Sequence, residues 1–493
     1  MKILSAQQIR EADIFTIKEQ NIHSHELMER AAKVFSNWYL DKLNIFNKIH
    51  IVCGTGNNGG DGLCIARHLS LKGNNIHVFI IGDANNASAD FQLNYDRLKK
   101  VNSNIRFSDA NNLSNISACD CIIDALFGTG LNRPPDEFAT KVIETINSSS
   151  AYIISVDVPS GLFADIPTLT ECVKADVTFS FELPKLCFFF PENKKFIGEW
   201  IVKKIGLSEN YLNQIKTSYN FLTELKVKEI LQPRDIFSHK GSYGHALIVA
   251  GKPGMTGAAE LCGYACLKAG AGLVTVSTGE TTSEHAELMT MKRNEINEEI
   301  LHNKFNALAI GPGFGNAEDE VQLLKLILHS FTKPVVIDAD ALNIISEHKE
   351  LLDLIPENSI LTPHPKEFER LFGTHETWMD LINLILEKSN QYKVFIIYKR
   401  AFSIIASPDG SIFFNSTGNS GMSTAGSGDV LTGILAAMLA QKYSPENAAL
   451  LGTYLHGLSA DFAMKIFDGQ NIVAGNIIEY IQKAYREVKE EVL

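Results

Sequence analysis

Short apolar runs alternate with helix-length stretches through the N-terminal part of the chain. Lys48–Cys53 (KIHIVC) predicts a buried strand, followed by a glycine-rich turn and a helix over Leu63–Leu71. Ile76–Ile81, Cys121–Leu126 and Tyr152–Val158 predict three more strands. Ile- and Val-rich strands with helix-length connections indicate a mostly parallel sheet covered on both faces. Phe179–Pro191 (FSFELPKLCFFFP) is apolar but holds two prolines, which predicts an edge strand and loop. Near the start, Ser5 and Gln8 have the spacing of a capping box ahead of an amphipathic helix, and no signal-peptide core is present.

Over Glu209–Leu225 the periodicity weakens and polar residues dominate, so the expected domains are 1–215 and 225–493. A second α/β pattern follows. His245–Ala250 predicts a strand and Gly257–Gly270 a helix whose Ala258, Ala259, Ala265 and Ala269 permit close packing on a sheet. Leu273–Ser277, Ala307–Ile310, Pro334–Ile337, Val394–Tyr398 and Phe402–Ala406 predict further strands.

The 493 residues are 45% apolar and 21% charged, which excludes a disordered or collagenous chain. A net charge of −12 disfavours nucleic-acid or anionic-membrane binding, while leaving room for a local phosphate pocket. No uninterrupted apolar run approaches the ~18 residues of a membrane span. Cys53, Cys64, Cys119, Cys121, Cys172, Cys187, Cys262 and Cys266 form no CxxC pair, so they are expected as buried thiols in a reducing, cytoplasmic setting.

Gly54-Thr55-Gly56-Asn57-Asn58-Gly59-Gly60-Asp61-Gly62 follows a predicted strand and opens a helix. Its first six residues fit G-x-G-x-x-G, with Asp83 at the end of the next strand, and backbone N–H groups there can meet a diphosphate. That pattern alone suits an ordinary dehydrogenase or a plain tight turn. Hydride transfer does not explain the amides and carboxylate of Asn57–Asp61. Two other strands end in oxygen-rich turns, at Asp124 with Gly128-Thr129-Gly130 and Arg133, and at Asp157 with Ser160 and Gly161. Strand C-termini converge on one crevice in an open α/β sheet. Asn58, Asp124 and Ser160 therefore offer an oxygen-only set for a hard monovalent cation, and Asp157 an acid/base. Each Asp alone reads equally as a helix cap.

In the C-terminal half, Thr417–Asp429 (TGNSGMSTAGSGD) runs into the helical DVLTGILAAMLA. Gly426, Ser427 and Gly428 can aim backbone N–H groups into an anion hole, with Asp429 placed as base for a substrate hydroxyl. This turn suggests a ribokinase-like small-molecule kinase, and the absence of G-x-x-x-x-G-K-[ST] argues against a P-loop NTPase. HKGSYGH (239–245), GKPGMTG (251–257), GPGFG (311–315), VIDADALN (336–343, with Asp338 and Asp340) and TPHPKEFER (362–370) fit the same site.

GTGNNGGDG, IIDALFGTG and VDVPSGL together resemble the epimerase domain of NAD(P)H-hydrate repair enzymes, and the C-terminal motifs resemble their dehydratase domain. The resemblance implies an N-terminal Rossmann-like three-layer domain and a C-terminal ribokinase-like α/β domain. It implies a bifunctional enzyme that epimerises hydrated NADH or NADPH at C6 and dehydrates the S form with ADP. It carries K+ onto Asn58, Asp124 and Ser160, and Mg2+ is expected with the nucleotide. Epimerase substrate contacts carry over onto Asn57, Asn58, Gly59, Gly60, Asp61, Gly128, Thr129, Gly130, Leu131, Asn132, Arg133, Pro134 and Asp157. Hydrate contacts in the dehydratase carry over onto Ala258, Gly313, His364, Pro365, Lys366, Glu367, Phe368, Glu369, Arg370 and Asp429. ADP carries over onto Lys399, Arg400, Ala401, Phe402 and Ser403, and onto Asn419, Ser420, Gly421, Met422, Ser423, Thr424, Ala425, Gly426, Ser427 and Gly428. Asp157 and Asp429 are the expected catalytic residues.

Three positions depart from the family pattern. Lys399-Arg400 stands for Lys-Gly, Ala425-Gly426 for Gly-Gly, and Ala286-Glu287-Leu288-Met289 for Pro-Glu-x-Met. The first two bear on the choice between ADP and ATP. A homo-oligomer without nucleic-acid or membrane partners is expected. Two alternatives remain at this level: a hydroxymethylpyrimidine- or thiazole-type kinase with an N-terminal regulatory domain, and an N-terminal half that only senses dinucleotides.

Overall fold

All five residues of β1 (Ile49–Cys53) are buried, His50 included, because helices cover both faces of the sheet they belong to. The computed structural model describes residues 1–43, 45–107, 120–168, 170–278, 283–467 and 472–489. It divides into two compact units, Lys2–Thr217 and Ser218–Leu493, with Met1 grouped in the second.

In the first unit, β1 is joined by β2 (Ile76–Ile80), β3 (Ile105–Phe107), β4 (Cys121–Ala125), β5 (Tyr152–Val156), β6 (Val177–Phe181) and β7 (Glu199–Lys203). Their order is β3-β2-β1-β4-β5-β6-β7, and every pairing is parallel. This is the Rossmann order with one strand added. The chain runs outward in opposite senses from β1 and β4, so a crevice opens beyond their C-terminal ends. α1 (Ala6–Glu19) begins with the expected capping box between Ser5 and Gln8. α2 (Ser24–Lys42) and α3 (Asn57–Leu71) follow, and Phe35 and Tyr39 of α2 are fully buried in the core.

The C-terminal unit holds a mixed sheet: β8 (Tyr219–Leu222), β9 (His245–Val249), β10 (Leu273–Ser277), β11 (Met289–Thr290), β12 (Ala307–Ile310), β13 (Val335–Ile337), β14 (Ile360–Leu361), β15 (Phe395–Tyr398), β16 (Ile404–Ala406) and β17 (Ile412–Asn415). The order is β11-β10-β9-β12-β13-β14-β15-β16-β17-β8, with antiparallel pairing only around β16. The helix Thr256–Lys268 buries Ala259, Cys262, Ala265 and Cys266, consistent with its small-residue composition.

One expectation is corrected. The Phe179–Pro191 segment is not an edge strand: β6 lies between β5 and β7. It ends at Phe181, before Pro184 and Pro191, so neither proline interrupts a ladder. Within the polar stretch at the domain boundary, Tyr219–Leu222 forms β8 and pairs with β17. α3 also starts at Asn57, well ahead of Leu63, despite its weak helix formers. Seven of the cysteines are buried and unpaired; Cys119 lies outside the described residues. No helix among the described residues is long and apolar enough to cross a membrane.

Candidate active sites

The crevice beyond β1 and β4 is a cavity of ≈ 800 Å³. Asn57, Asn58 and Asp61 line it from the start of α3, and Gly128 through Arg133 from the turn after β4. Asp157 and Lys185 line it as well. Gly59 is required by close approach, because a Cβ there would stand 1.8 Å from the Gly54 carbonyl oxygen. Asp83 does not line this cavity. Its carboxylate accepts from the Asn85 N–H and from the Asn85 and Asn86 amides, so it closes a turn instead.

Asp124 and Ser160 meet as the sequence predicts. Ser160 Oγ donates to Asp124 Oδ1 at 2.6 Å, and the Ser160 N–H donates to Oδ2 at 2.9 Å. Ser155, the register partner of Asp124 on β5, donates its hydroxyl at 2.8 Å. Burial raises the Asp124 carboxyl above its ordinary range against these hydrogen bonds. Asn58 stands against Gly128, whose Cβ would lie 3.2 Å from Asn58 Oδ1, and its buried Nδ2 has no hydrogen-bond partner among the described residues.

Asp157 holds a left-handed backbone (φ 69°), a strained conformation for a residue with a Cβ. Its Oδ1 lies 3.0 Å from Lys185 Nζ. Lys185 is only 1% exposed and also donates to Ser180 Oγ and to the Phe181 and Leu183 carbonyls. Sequence reasoning missed Lys185, which lay within a segment read as edge strand and loop. Burial first, then the charges of Asp157, Asp13 and Asp90, pushes Asp61 well above its ordinary value.

In the second unit, the turn before the helix Ser427–Ala440 places Gly426 at φ 86°, where a Cβ would also strike Leu261. Ala425 is not among the residues with left-handed backbone, so alanine fits where the family has glycine. A Cβ on Gly428 would lie 3.4 Å from Lys399 Nζ. Lys399 Nζ donates to Asp338 Oδ1 at 2.7 Å, and Thr432 Oγ1 donates to Oδ2 at 2.8 Å. Asp338 is 1% exposed and ties the lysine to the helix behind the glycine turn. Burial, then the Asp338 charge, pushes Asp429 up to about 6 against the pull of Lys399. Arg400 is exposed and lies over the Trp378 ring at 5.5 Å.

Gly313 meets Ala258, its Cβ position being 3.1 Å from the alanine methyl. Arg293 binds the carbonyls of Gly251 and Phe314 and pairs with Glu320, fixing the two glycine-rich turns against each other. His364 caps the helix Pro365–Phe372 in a capping box with Glu367. Within that segment Phe368 does not face a site: its ring is fully buried edge-on to Phe372 and Tyr398. Glu367 is buried too, whereas Lys366, Glu369 and Arg370 are exposed. Asp461 accepts from the Gly418 N–H at 3.0 Å and the Asn419 amide at 2.8 Å, pinning the start of the 419–428 loop.

A family model described as YjeF-related protein N-terminus matches residues 24–187, and one described as NAD(P)H-hydrate dehydratase matches residues 246–483. The bifunctional NAD(P)H-hydrate repair enzyme of Moorella thermoacetica is 33% identical over 525 residues, covering 100% of this chain and 98% of that protein. The enzyme of the same name from Escherichia coli is 31% identical, covering 88% of this chain and 84% of that protein. A crystal structure of the ADP/ATP-dependent NAD(P)H-hydrate dehydratase of Bacillus subtilis, co-crystallised with ATP and Mg2+, is 29% identical with a TM-score of 0.47. It covers 55% of this chain and 98% of that chain.

Proposed function

This chain belongs to the bifunctional NAD(P)H-hydrate repair enzymes, and from that premise we propose which of its residues carry each half of the work. We assign epimerisation to 1–215, at the cavity of Asn57–Asp61, Gly128–Pro134 and Asp157. We assign dehydration to 225–493, with the hydrate at Ala258, Gly313 and His364–Arg370 and ADP along Lys399–Ser403 and Asn419–Gly428. Phe368 enters that set through its backbone alone.

C6 of the hydrate is a carbinolamine carbon. Epimerisation breaks the C6–O bond with help from the ring nitrogen, and water returns on the other face. Asp157, oriented by Lys185, exchanges protons with that oxygen. Asn58, Asp124 and Ser160 fit a potassium ion by their all-oxygen donor set, the Asn58 Oδ1, the buried Asp124 carboxylate and the Ser160 hydroxyl. Such an ion would supply fixed positive charge beside the phosphate cradle.

In the second site Asp429 takes the C6 hydroxyl proton and the oxygen attacks the terminal phosphate of ADP, releasing AMP. Hydroxide leaves poorly and phosphate leaves well. The ring nitrogen then expels phosphate, and loss of a proton from C5 restores the double bond of NAD(P)H. Gly426–Gly428 and Lys399 stabilise the phosphate charge. Among the described residues the one triad of metal-ligating side chains is Glu29, Cys64 and His68 in the other unit, where Arg67 already pairs with Glu29. A magnesium ion here would therefore be held mainly by the nucleotide's phosphates. Buried unpaired thiols support a cytoplasmic setting.

The observation that carries the reading is the meeting of Lys399 Nζ, the Gly428 backbone and a half-buried Asp429 at one helix start. The test is absorbance at the reduced-nicotinamide band, with hydrated NADH or NADPH epimers, Mg2+ and either ADP or ATP. Recovery from both epimers with ADP is expected. No recovery with either nucleotide would refute the assignment.

A further inference from the structure

We propose that Asp13, on α1, is a second catalytic carboxyl of the epimerase, handling the proton on the ring face opposite Asp157. This rests on the assignment of epimerisation to the N-terminal cavity. Ile9, Arg10, Asp13, Ile14 and Ile17 all line that cavity, so one face of α1 forms a wall of it, and Asp13 is the acid of that face. Asp157 reaches the same space from the end of β5. A nicotinamide-derived ring lying between helix and strand end presents one face to each.

The two carboxyls are prepared differently. Asp157 is paired with the buried Lys185, an arrangement suited to a carboxylate. Asp13 has no hydrogen-bond or ion-pair partner among the described residues. The groups facing it are Asp157, Glu182 and Lys185 from the sheet side and Asp61 from α3, with Arg10 on its own helix. Burial first, then the Asp157 charge, raises Asp13 to about 7, with Lys185 pulling the other way. Near neutrality Asp13 can thus give up a proton within the cavity that Asp157 also lines, with Asp61, likewise raised by burial, beside them on α3; inversion by departure and return of water demands such a second proton-handling group.

The step balances. The proton of Asp13 goes to the departing hydroxyl as the C6–O bond breaks, and a water leaves. A second water forms the new C6–O bond on the opposite face and gives its proton to Asp157. No redox change occurs. The protons have changed places, so the site is set for the opposite epimer. A single carboxyl would have to reach both faces.

The test uses the full chain and follows epimer interconversion without nucleotide. Asp13→Asn is expected to lower kcat by about 10²-fold or more in both directions with KM within about threefold, and to abolish the decline of kcat/KM above about pH 7. Nucleotide-dependent dehydration of the S epimer reports that the other unit is intact, and circular dichroism and thermal unfolding of the full chain against the parent report that the N-terminal unit is folded. A folded D13N with a rate within about threefold of the parent, or with the parent pH profile, overturns the proposal. If D13N unfolds the N-terminal unit, D13E decides: a displaced alkaline limb supports the role, and an unchanged rate and limb overturn it. Retained epimerisation in Asp157→Asn would instead sink the underlying reading of the site, whatever Asp13 does.

Discussion

Asp157 Oδ1 stands 3.0 Å from the ammonium of Lys185, a lysine that is 1% exposed and tied to three further oxygens. An ion pair this enclosed is costly to half-remove, because the remaining charge is left desolvated. Lys185→Met is therefore expected to cut epimerisation by about 10²-fold. Dehydration of the S epimer should be unaffected. Asp157→Ala should abolish enzymatic epimerisation while the fold is retained, as read by circular dichroism and thermal unfolding of the full chain.

Asp429 has the opposite preparation, a carboxyl raised to about 6 by burial and by Asp338. Dehydration should increase with pH through about 6 as the base form appears. Asp429→Asn should lower kcat by about 10³-fold or more while ADP binding, read by calorimetry, is preserved. Stability gives an independent check. The folded pKa lies above the unfolded value of 3.8, so the native state holds the extra proton between 3.8 and about 6, and this group's contribution falls as pH rises through that window. D429N should therefore unfold at higher temperature than the parent above about pH 6, by an amount worth at most about 3 kcal/mol, with the gain vanishing towards pH 4.

The monovalent-cation assignment separates the two units. Replacing potassium salts with those of an organic cation of equal ionic strength should depress epimerisation and spare dehydration. Ser160→Ala should raise the potassium concentration needed for half-maximal epimerisation. Ser160 Oγ donates to Asp124 and accepts from the Phe127 N–H at 2.8 Å, so S160A should also cost about 1–2 kcal/mol of stability, measurable by denaturant unfolding.

What could be read from the chain follows from how local each signal is. Strand runs such as Ile76–Ile81 and Leu273–Ser277 are continuous apolar segments, and both are found as strands. Turn motifs such as Asn57–Asp61 and Gly426–Asp429 sit at strand ends or helix starts, where glycine is required for close approach or a left-handed backbone. Lys185 carries no local signal, and Asp338 stands out only as part of VIDADALN, with no role legible for it. Lys185 becomes significant only because β6 sits inside the sheet and brings it beside Asp157 across sequence, and Asp338 only because Lys399 and Thr432 converge on it. Asp13 was hidden in the same way, within a stretch legible only as a capped helix. Asp83 shows the reverse: it completes the dinucleotide-binding pattern in the sequence, yet neighbouring amides occupy its carboxylate.

Asp338 does two things whose loss can be told apart. Its charge holds Lys399 and also raises Asp429, while its Oδ2 accepts from Thr432. Asp338→Asn removes the charge and keeps the shape. Lys399 loses its partner and Asp429 loses a repulsive neighbour, so the acid limb of dehydration should move to lower pH while KM for ADP rises by about tenfold. Thr432→Val leaves the charge in place and removes one hydrogen bond. It should lower stability by about 1 kcal/mol and leave the limb where it was. If both substitutions shift the limb equally, the effect is one of packing behind the glycine turn, and Asp338 does not act through its charge.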